Sequence, residues 1–151
     1  MLSNTLVELP VCDLTKVMAR VTKDNSWDEE TAKFAEQEYR RFMVLCKETD
    51  GGVCPPKIVD EVWHTHILFT QRYQTDCEEY YGKFIHHIPM DEFEPSYWAT
   101  IIDDLVERTV TLYEEIFGEL PDEWVSLARC AGSCGSGCGG GGCAGCSKCS
   151  S

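Results

Sequence analysis

Along the first 129 positions the apolar residues recur mostly at spacings of three and four, the signature of amphipathic helices, and strand-like alternation is scarce. Leu14, Val17, Met18 and Val21 form one stripe and predict a first helix over about Asp13–Thr22. Ser26-Trp27-Asp28-Glu29 reads as a capping box opening a second helix through Phe34, Ala35, Tyr39, Phe42, Leu45 and Cys46, which stops near Asp50-Gly51-Gly52. Pro55-Pro56 suits the first turn of a third helix bearing Ile58, Val59, Val62, Trp63, His66 and Ile67. This helix either continues or kinks into Tyr73, Cys77 and Tyr80-Tyr81, with Gly82 as its cap. A long helix follows from near Pro95 through Trp98, Ile101, Ile102, Leu105, Val106, Val110, Leu112, Tyr113 and Phe117 to Gly118, and a short one covers Pro121–Leu127. The expected fold is all-α, a single compact bundle-like domain of five or six helices over residues 1–129. Trp27, Trp63, Trp98 and Trp124, one per predicted helix, read as core anchors.

Composition changes abruptly at residue 130. The last 22 residues hold six of the ten cysteines, eight of the twelve glycines and no aliphatic side chain larger than alanine. Such a segment cannot bury enough apolar surface to offset the entropy of ordering it, so residues 130–151 are expected to form a disordered Cys/Gly-rich tail. The tail has one lysine and no carboxylate, which leaves residues 1–129 with 26 acids against 12 bases. An acidic surface of that strength repels phosphate backbones and anionic lipid heads, so neither nucleic acid nor a membrane is an expected partner. With no basic, apolar leader and no run of about 20 apolar residues, the sequence reads as soluble and cytoplasmic.

All four histidines, His64, His66, His86 and His87, fall within 24 residues, with Cys77 between the two pairs. Imidazole and thiolate are the preferred ligands of zinc and other borderline divalent ions, and His64, His66, Cys77 and His87 meet the count of four that a structural site takes. Residues two apart on a helix point about 200° from each other. Either the helix therefore breaks between His64 and His66 or one of the two ligates. Asp60, one turn before His64, is placed to hold that imidazole's second nitrogen. The same residues admit a plainer reading, in which His66 is a hydrogen-bonded core histidine beside Trp63 and the others are merely polar.

The series Val59-Asp-Glu-Val-Trp-His-Thr-His-Ile67, Tyr73-Gln-Thr-Asp-Cys77 and Gly82-Lys-Phe-Ile-His-His-Ile-Pro89 resembles the glycine-rich domain-containing protein-like family. That family shows D-x-x-W-H-x-H, Y-x-x-D-C and G-x-x-x-x-H, matched here at Asp60, Trp63, His64, His66, Tyr73, Asp76, Cys77, Gly82 and His87. The resemblance implies an all-α domain of largely uncharacterised biochemistry, often ending in a Gly- and Cys-rich tail. His86 falls where relatives often have another residue.

Tail cysteines Cys130, Cys134, Cys138, Cys143, Cys146 and Cys149 are spaced so that glycine-rich backbone can bring several thiolates onto one soft ion. In a reducing compartment metal binding or redox exchange is a better use of such thiols than structural disulfides. Cys12, Cys46 and Cys54 read as buried or free thiols, with Cys54 close enough in sequence to approach the histidines. The carboxylates of Asp76, Glu78 and Glu79 and of Asp103, Asp104 and Glu107 read as solvated helix faces. Glu61 adjoins the histidines as a group that could activate a bound water, but no H-E-x-x-H pattern accompanies it, and the balance favours a non-enzymatic role. The expected function is zinc or similar metal binding, with the tail used for buffering, transfer or sensing. Two alternatives stand beside it: a precursor whose Cys/Ser/Gly tail is enzymatically modified, and an interaction module with a protein partner.

Overall fold

Leu14, Val17 and Val21 are sealed from solvent, which places the predicted stripe of the first helix in the core. The computed structural model describes residues 7–89 and 92–132, with backbone alone for 129–132. Among the described residues there are six helices and no strand: α1 (Thr15–Asn25), α2 (Glu29–Thr49), α3 (Lys57–Leu68), α4 (Thr70–Tyr81), α5 (Pro95–Phe117) and α6 (Asp122–Gly132). Helix α3 packs against α1, α2 and α4, α6 packs on α5, and α2 touches both groups. Tyr39, Phe42 and Leu45 of α2, Val59 and Val62 of α3, and Tyr113 and Trp124 of α5 and α6 meet in one core. Each such apolar side chain contributes about 1.5–3 kcal/mol on burial.

The start of α2 differs from the expected capping box. Ser26 is the C-cap of α1, in the left-handed region at φ 53°, and a residue there cannot take the extended conformation of an N-cap. Asp28, extended at φ −77° and ψ 173°, caps α2 instead, its carboxylate accepting from the Thr31 N–H at 2.8 Å. The other end follows expectation, with Asp50 left-handed at φ 61° and Gly51 at φ 85°.

The kink after Ile67 is a full break. Phe69 closes α3, donating its N–H to the His66 carbonyl at 3.1 Å, and opens α4 by accepting from the Tyr73 N–H at 2.8 Å. In one continuous helix, residues ten apart would lie about 15 Å from each other. The turn at Phe69 folds α4 back on α3, so that two such pairs touch: Trp63 Nε1 donates to the Tyr73 hydroxyl at 2.9 Å, and His66 Nε2 meets Asp76 Oδ2 at 2.8 Å. Gly82 ends α4 at φ 75° with open space around it, so its backbone conformation, not crowding, favours glycine there.

Trp124 and Trp63 are core residues and Trp27 packs half-buried against the core, but Trp98 does not anchor it. The buried positions of α5 are Val106, Thr109 and Tyr113, so this helix enters the core only with its second half, and Trp98 stacks on Phe93 instead. Helix α6 runs to Gly132 and takes in the backbone of Cys130, past the expected boundary at residue 129. The remaining tail cysteines, and the disorder expected of that segment, lie outside the described residues. No described helix is long and apolar enough to cross a membrane.

Candidate metal centre

Three helices and one extended segment build the histidine region. Tyr39 on α2 bonds His66 Nδ1 through its hydroxyl at 2.8 Å, and Asp76 on α4 takes His66 Nε2, so both ring nitrogens of this fully buried imidazole are engaged. A carboxylate accepts only, which makes Nε2 the protonated nitrogen and Nδ1 the acceptor of the Tyr39 proton. Burial pushes the His66 pKa below the ordinary histidine value, against the opposing pull of Asp76. The Tyr73 hydroxyl, receiving from Trp63, donates in turn to the Ile85 carbonyl at 2.6 Å and thereby fastens the segment after α4. Lys83, on that same segment, pairs with Asp50 at the end of α2.

That fastening carries His87 back over α3. Its ring lies 4.4 Å from the Trp63 ring and 4.4 Å from the His64 ring. Asp60, one turn before His64, reaches both: Oδ1 is 2.8 Å from His87 Nε2 and Oδ2 is 3.6 Å from His64 Nε2. One donor atom from each of Asp60, His64 and His87 lies within 4.8 Å of the others. Metal–nitrogen and metal–oxygen bonds of about 2.0–2.2 Å place tetrahedral donors roughly 3.3 Å apart. The 2.8 and 3.6 Å contacts run to different oxygens of Asp60, and the 4.8 Å limit exceeds that edge, so an ion would draw the three side chains closer together. The His64 side chain is 50% exposed and the His87 side chain 18%, so the group opens to solvent on the His64 side.

Of the four ligands expected from sequence, His64 and His87 are brought together; His66 and Cys77 are not part of the group. Helix α3 is unbroken through both of its histidines, and His66 points to the core with its nitrogens taken. Cys77 is buried, and desolvation raises its thiol pKa. Asp60, expected only as a partner of His64, is the member common to both close contacts; the D-x-x-x-H spacing, which puts both residues on one helix face, is the signal for it. Glu61 is not in the group, and His86 is exposed against Phe84 at 4.8 Å between ring centres. Cys54 is pushed up to about 12 by burial, with the Asp60 carboxylate adding to the shift, which places it in the neighbourhood of the group but outside it. Asp76 departs from the solvated-face reading given to it with Glu78 and Glu79, being buried against His66.

Fold and site together define an all-α domain in which a hydrogen-bonded aromatic and histidine layer presents an Asp-His-His group at the surface. The chain belongs to the UCP032817-like family, whose match covers residues 12–99, more than half its length and every residue of the motif series from Asp60 to His87. It is 38% identical over 48 residues, 32% of the chain, to Glycine-rich domain-containing protein 2 of Arabidopsis thaliana. With Glycine-rich domain-containing protein 1 of the same plant it shares 38% identity over 37 residues, 24% of the chain. The chain spans only 6% and 4% of the lengths of these two curated relatives. No solved structure matches it.

Proposed function

We propose that this chain is a metal-binding protein whose domain site is Asp60, His64 and His87, with zinc as the preferred ion. The convergence of two imidazole nitrogens and a carboxylate oxygen within 4.8 Å carries the reading. Two nitrogens and one oxygen suit zinc, and the same set is the facial arrangement used by iron(II) and related ions, so the ligand types select a borderline divalent metal over calcium or magnesium. The residues around the group explain its support. Trp63 and Tyr73 hold the His87 segment, while the Tyr39–His66–Asp76 chain fixes the inner side of α3. Two open surface concavities among the described residues lie elsewhere, one along α2 and α5 and one along α4. The cysteine-rich tail is a second, softer ligand set suited to buffering or transfer.

The test is zinc titration of the full chain against a chromophoric chelator, compared with Asp60→Asn, His64→Ala and His87→Ala. Each histidine substitution removes one donor and Asp60→Asn removes the anionic charge of the third, and each is expected to weaken the domain site at least about tenfold. Stoichiometry and affinity unchanged in all three would sink the proposal.

A further inference from the structure

We infer that the N-terminal half of α5 is a docking face for a basic amphipathic helix of a partner protein. Trp98, Ile101, Ile102 and Leu105 follow the i, i+3, i+4, i+7 spacing of one helix face. The same face continues into Thr109, Leu112, Tyr113 and Ile116, so α5 is one amphipathic helix over its 23 residues. Its second half is covered: Tyr113 is sealed in the core, and Leu112 and Ile116 pack against that core. The first half is not. Trp98, Ile101, Ile102 and Leu105 are all partly exposed, and none of them joins the core or packs against it among the described residues. Tyr97, beside them, is 53% exposed.

The stripe rises about 10 Å from Trp98 to Leu105, two helical turns, a patch that a second helix covers by setting its side-chain ridges into the grooves. Helix α6 does this for the second half of α5, where Trp124 meets Tyr113 at 4.8 Å between ring centres. A strand has nothing to pair with there, because the backbone groups of α5 are spent within the helix. Charge selects the occupant. Residues 84–107 carry six carboxylates and no lysine or arginine, whereas residues 1–83 carry 15 acids and 10 bases. Glu94 at the start of the stripe and Asp103 and Asp104 on its two flanks are exposed. A second copy of this chain would set the same carboxylates against these, which opposes self-association. The last 22 residues of the chain hold no aliphatic side chain larger than alanine, so they cannot supply the missing apolar face. A helix with lysine and arginine beside its apolar stripe meets both requirements, and the complementary charge speeds the encounter and fixes its orientation.

The probe is a helical peptide of about 18 residues with leucines on one face and lysines on the other, titrated into the isotope-labelled full chain. Indole N–H signals are followed by NMR, that of Trp98 being assigned from a Trp98→Phe chain. The expected result is one-to-one binding in which the Trp98 signal shifts most, since its Nε1 is shielded from solvent with no acceptor among the described residues and senses a helix laid over the stripe. A leucine/glutamate peptide with the same apolar face should bind at least about tenfold more weakly. Ile101→Ser with Leu105→Ser should weaken the lysine peptide by at least about tenfold, whereas Glu114→Gln with Glu115→Gln, on α5 but off the stripe, should change it less than about twofold. If the serine pair binds the peptide as the parent chain does, the peptide adsorbs by charge alone and the inference falls. It falls equally if the glutamate peptide binds as tightly as the lysine peptide. A dimer of the peptide-free chain in sedimentation equilibrium, lost in the serine pair, would make a second copy the occupant and overturn the proposal as well. Far-ultraviolet circular dichroism of each variant checks that the helices are retained.

Discussion

His64 and His66 stand two residues apart on α3 and do opposite work. The His64 side chain is half exposed beside Asp60 and His87, whereas that of His66 is 1% exposed and locked between Tyr39 and Asp76. One lies on the metal face and the other on the core face, because a helix turns about 200° in two residues. Substitution should separate them. His64→Ala is expected to lower metal affinity while moving the urea midpoint of the metal-free chain little. His66→Ala leaves the Tyr39 hydroxyl and the Asp76 carboxylate buried and unpaired, at a cost of about 2–5 kcal/mol. Equal loss of stability in both variants would mean that the two faces are not distinct.

The locked imidazole also sets a pH dependence. Burial lowers the His66 pKa in the folded chain below the ordinary 6.5, although Asp76 pulls the other way and Arg72 and Arg40 lower it slightly further. Below pH 6.5 the unfolded chain therefore binds a proton that the native chain refuses, and stability falls as pH falls, by up to about 1.4 kcal/mol per pH unit from this group. Asp13 and Asp28 are held low by hydrogen bonds from Thr15 and Thr31, so their contributions are lost only at and below the ordinary value of 3.8, outside this window. Urea unfolding of the metal-free chain between pH 7.5 and 5 measures the slope. A flat profile, or one as steep in a His66→Gln chain, is the contrary result.

Much of this arrangement is legible from residue spacing. Helix periods in residues 13–81 place Val17, Val21, Tyr39, Phe42, Val59 and Val62 in the core, where they are. The opposed directions of His64 and His66 follow from helix geometry alone. What spacing does not reveal is set by long-range contact. The pairing of His66 with Asp76 needs the break at Phe69, a residue with neither the proline nor the glycine that marks such breaks in sequence. Likewise His87 reaches Asp60 only because Tyr73 ties down Ile85. Glu38 reads locally as one polar position on an amphipathic helix, and nothing nearby announces that its partners sit 75 and 86 residues away.

The exchange of roles between Ser26 and Asp28 gives a local test. Ser26 occupies the left-handed region, where glycine is free of the strain that a β-carbon brings, and Asp28 supplies the cap to Thr31. Ser26→Gly should leave stability unchanged or raise it by up to about 1 kcal/mol. Asp28→Ala should lower the thermal midpoint, because the Thr31 N–H loses its acceptor. If instead Ser26→Gly is the damaging change, the capping box begins at Ser26 after all.

Glu38 ties the two halves of the bundle together. It is 1% exposed, and its Oε2 accepts from the Tyr113 hydroxyl of α5 at 2.8 Å and from Trp124 Nε1 of α6 at 2.9 Å. Arg41, one turn along, meets Oε1 at 3.0 Å and donates to the Tyr113 oxygen at 2.7 Å, so the buried charge is both paired and hydrogen-bonded. Removing one member of such a set leaves the others stranded, and Glu38→Ala is expected to cost about 3–5 kcal/mol. Tyr113→Phe, which deletes one donor and keeps the ring, should cost only about 1 kcal/mol. Because Trp124 lies fully buried on α6, its assigned fluorine NMR resonance in a fluorotryptophan-labelled chain reports whether α6 leaves the core before the rest unfolds. In the Glu38→Ala chain that signal is expected to change at lower urea than the helical circular dichroism, since α6 then keeps only its apolar packing. Coincident transitions with a loss below about 1 kcal/mol would show that apolar contacts alone hold α5 and α6 on α2, and that the carboxylate is a passenger.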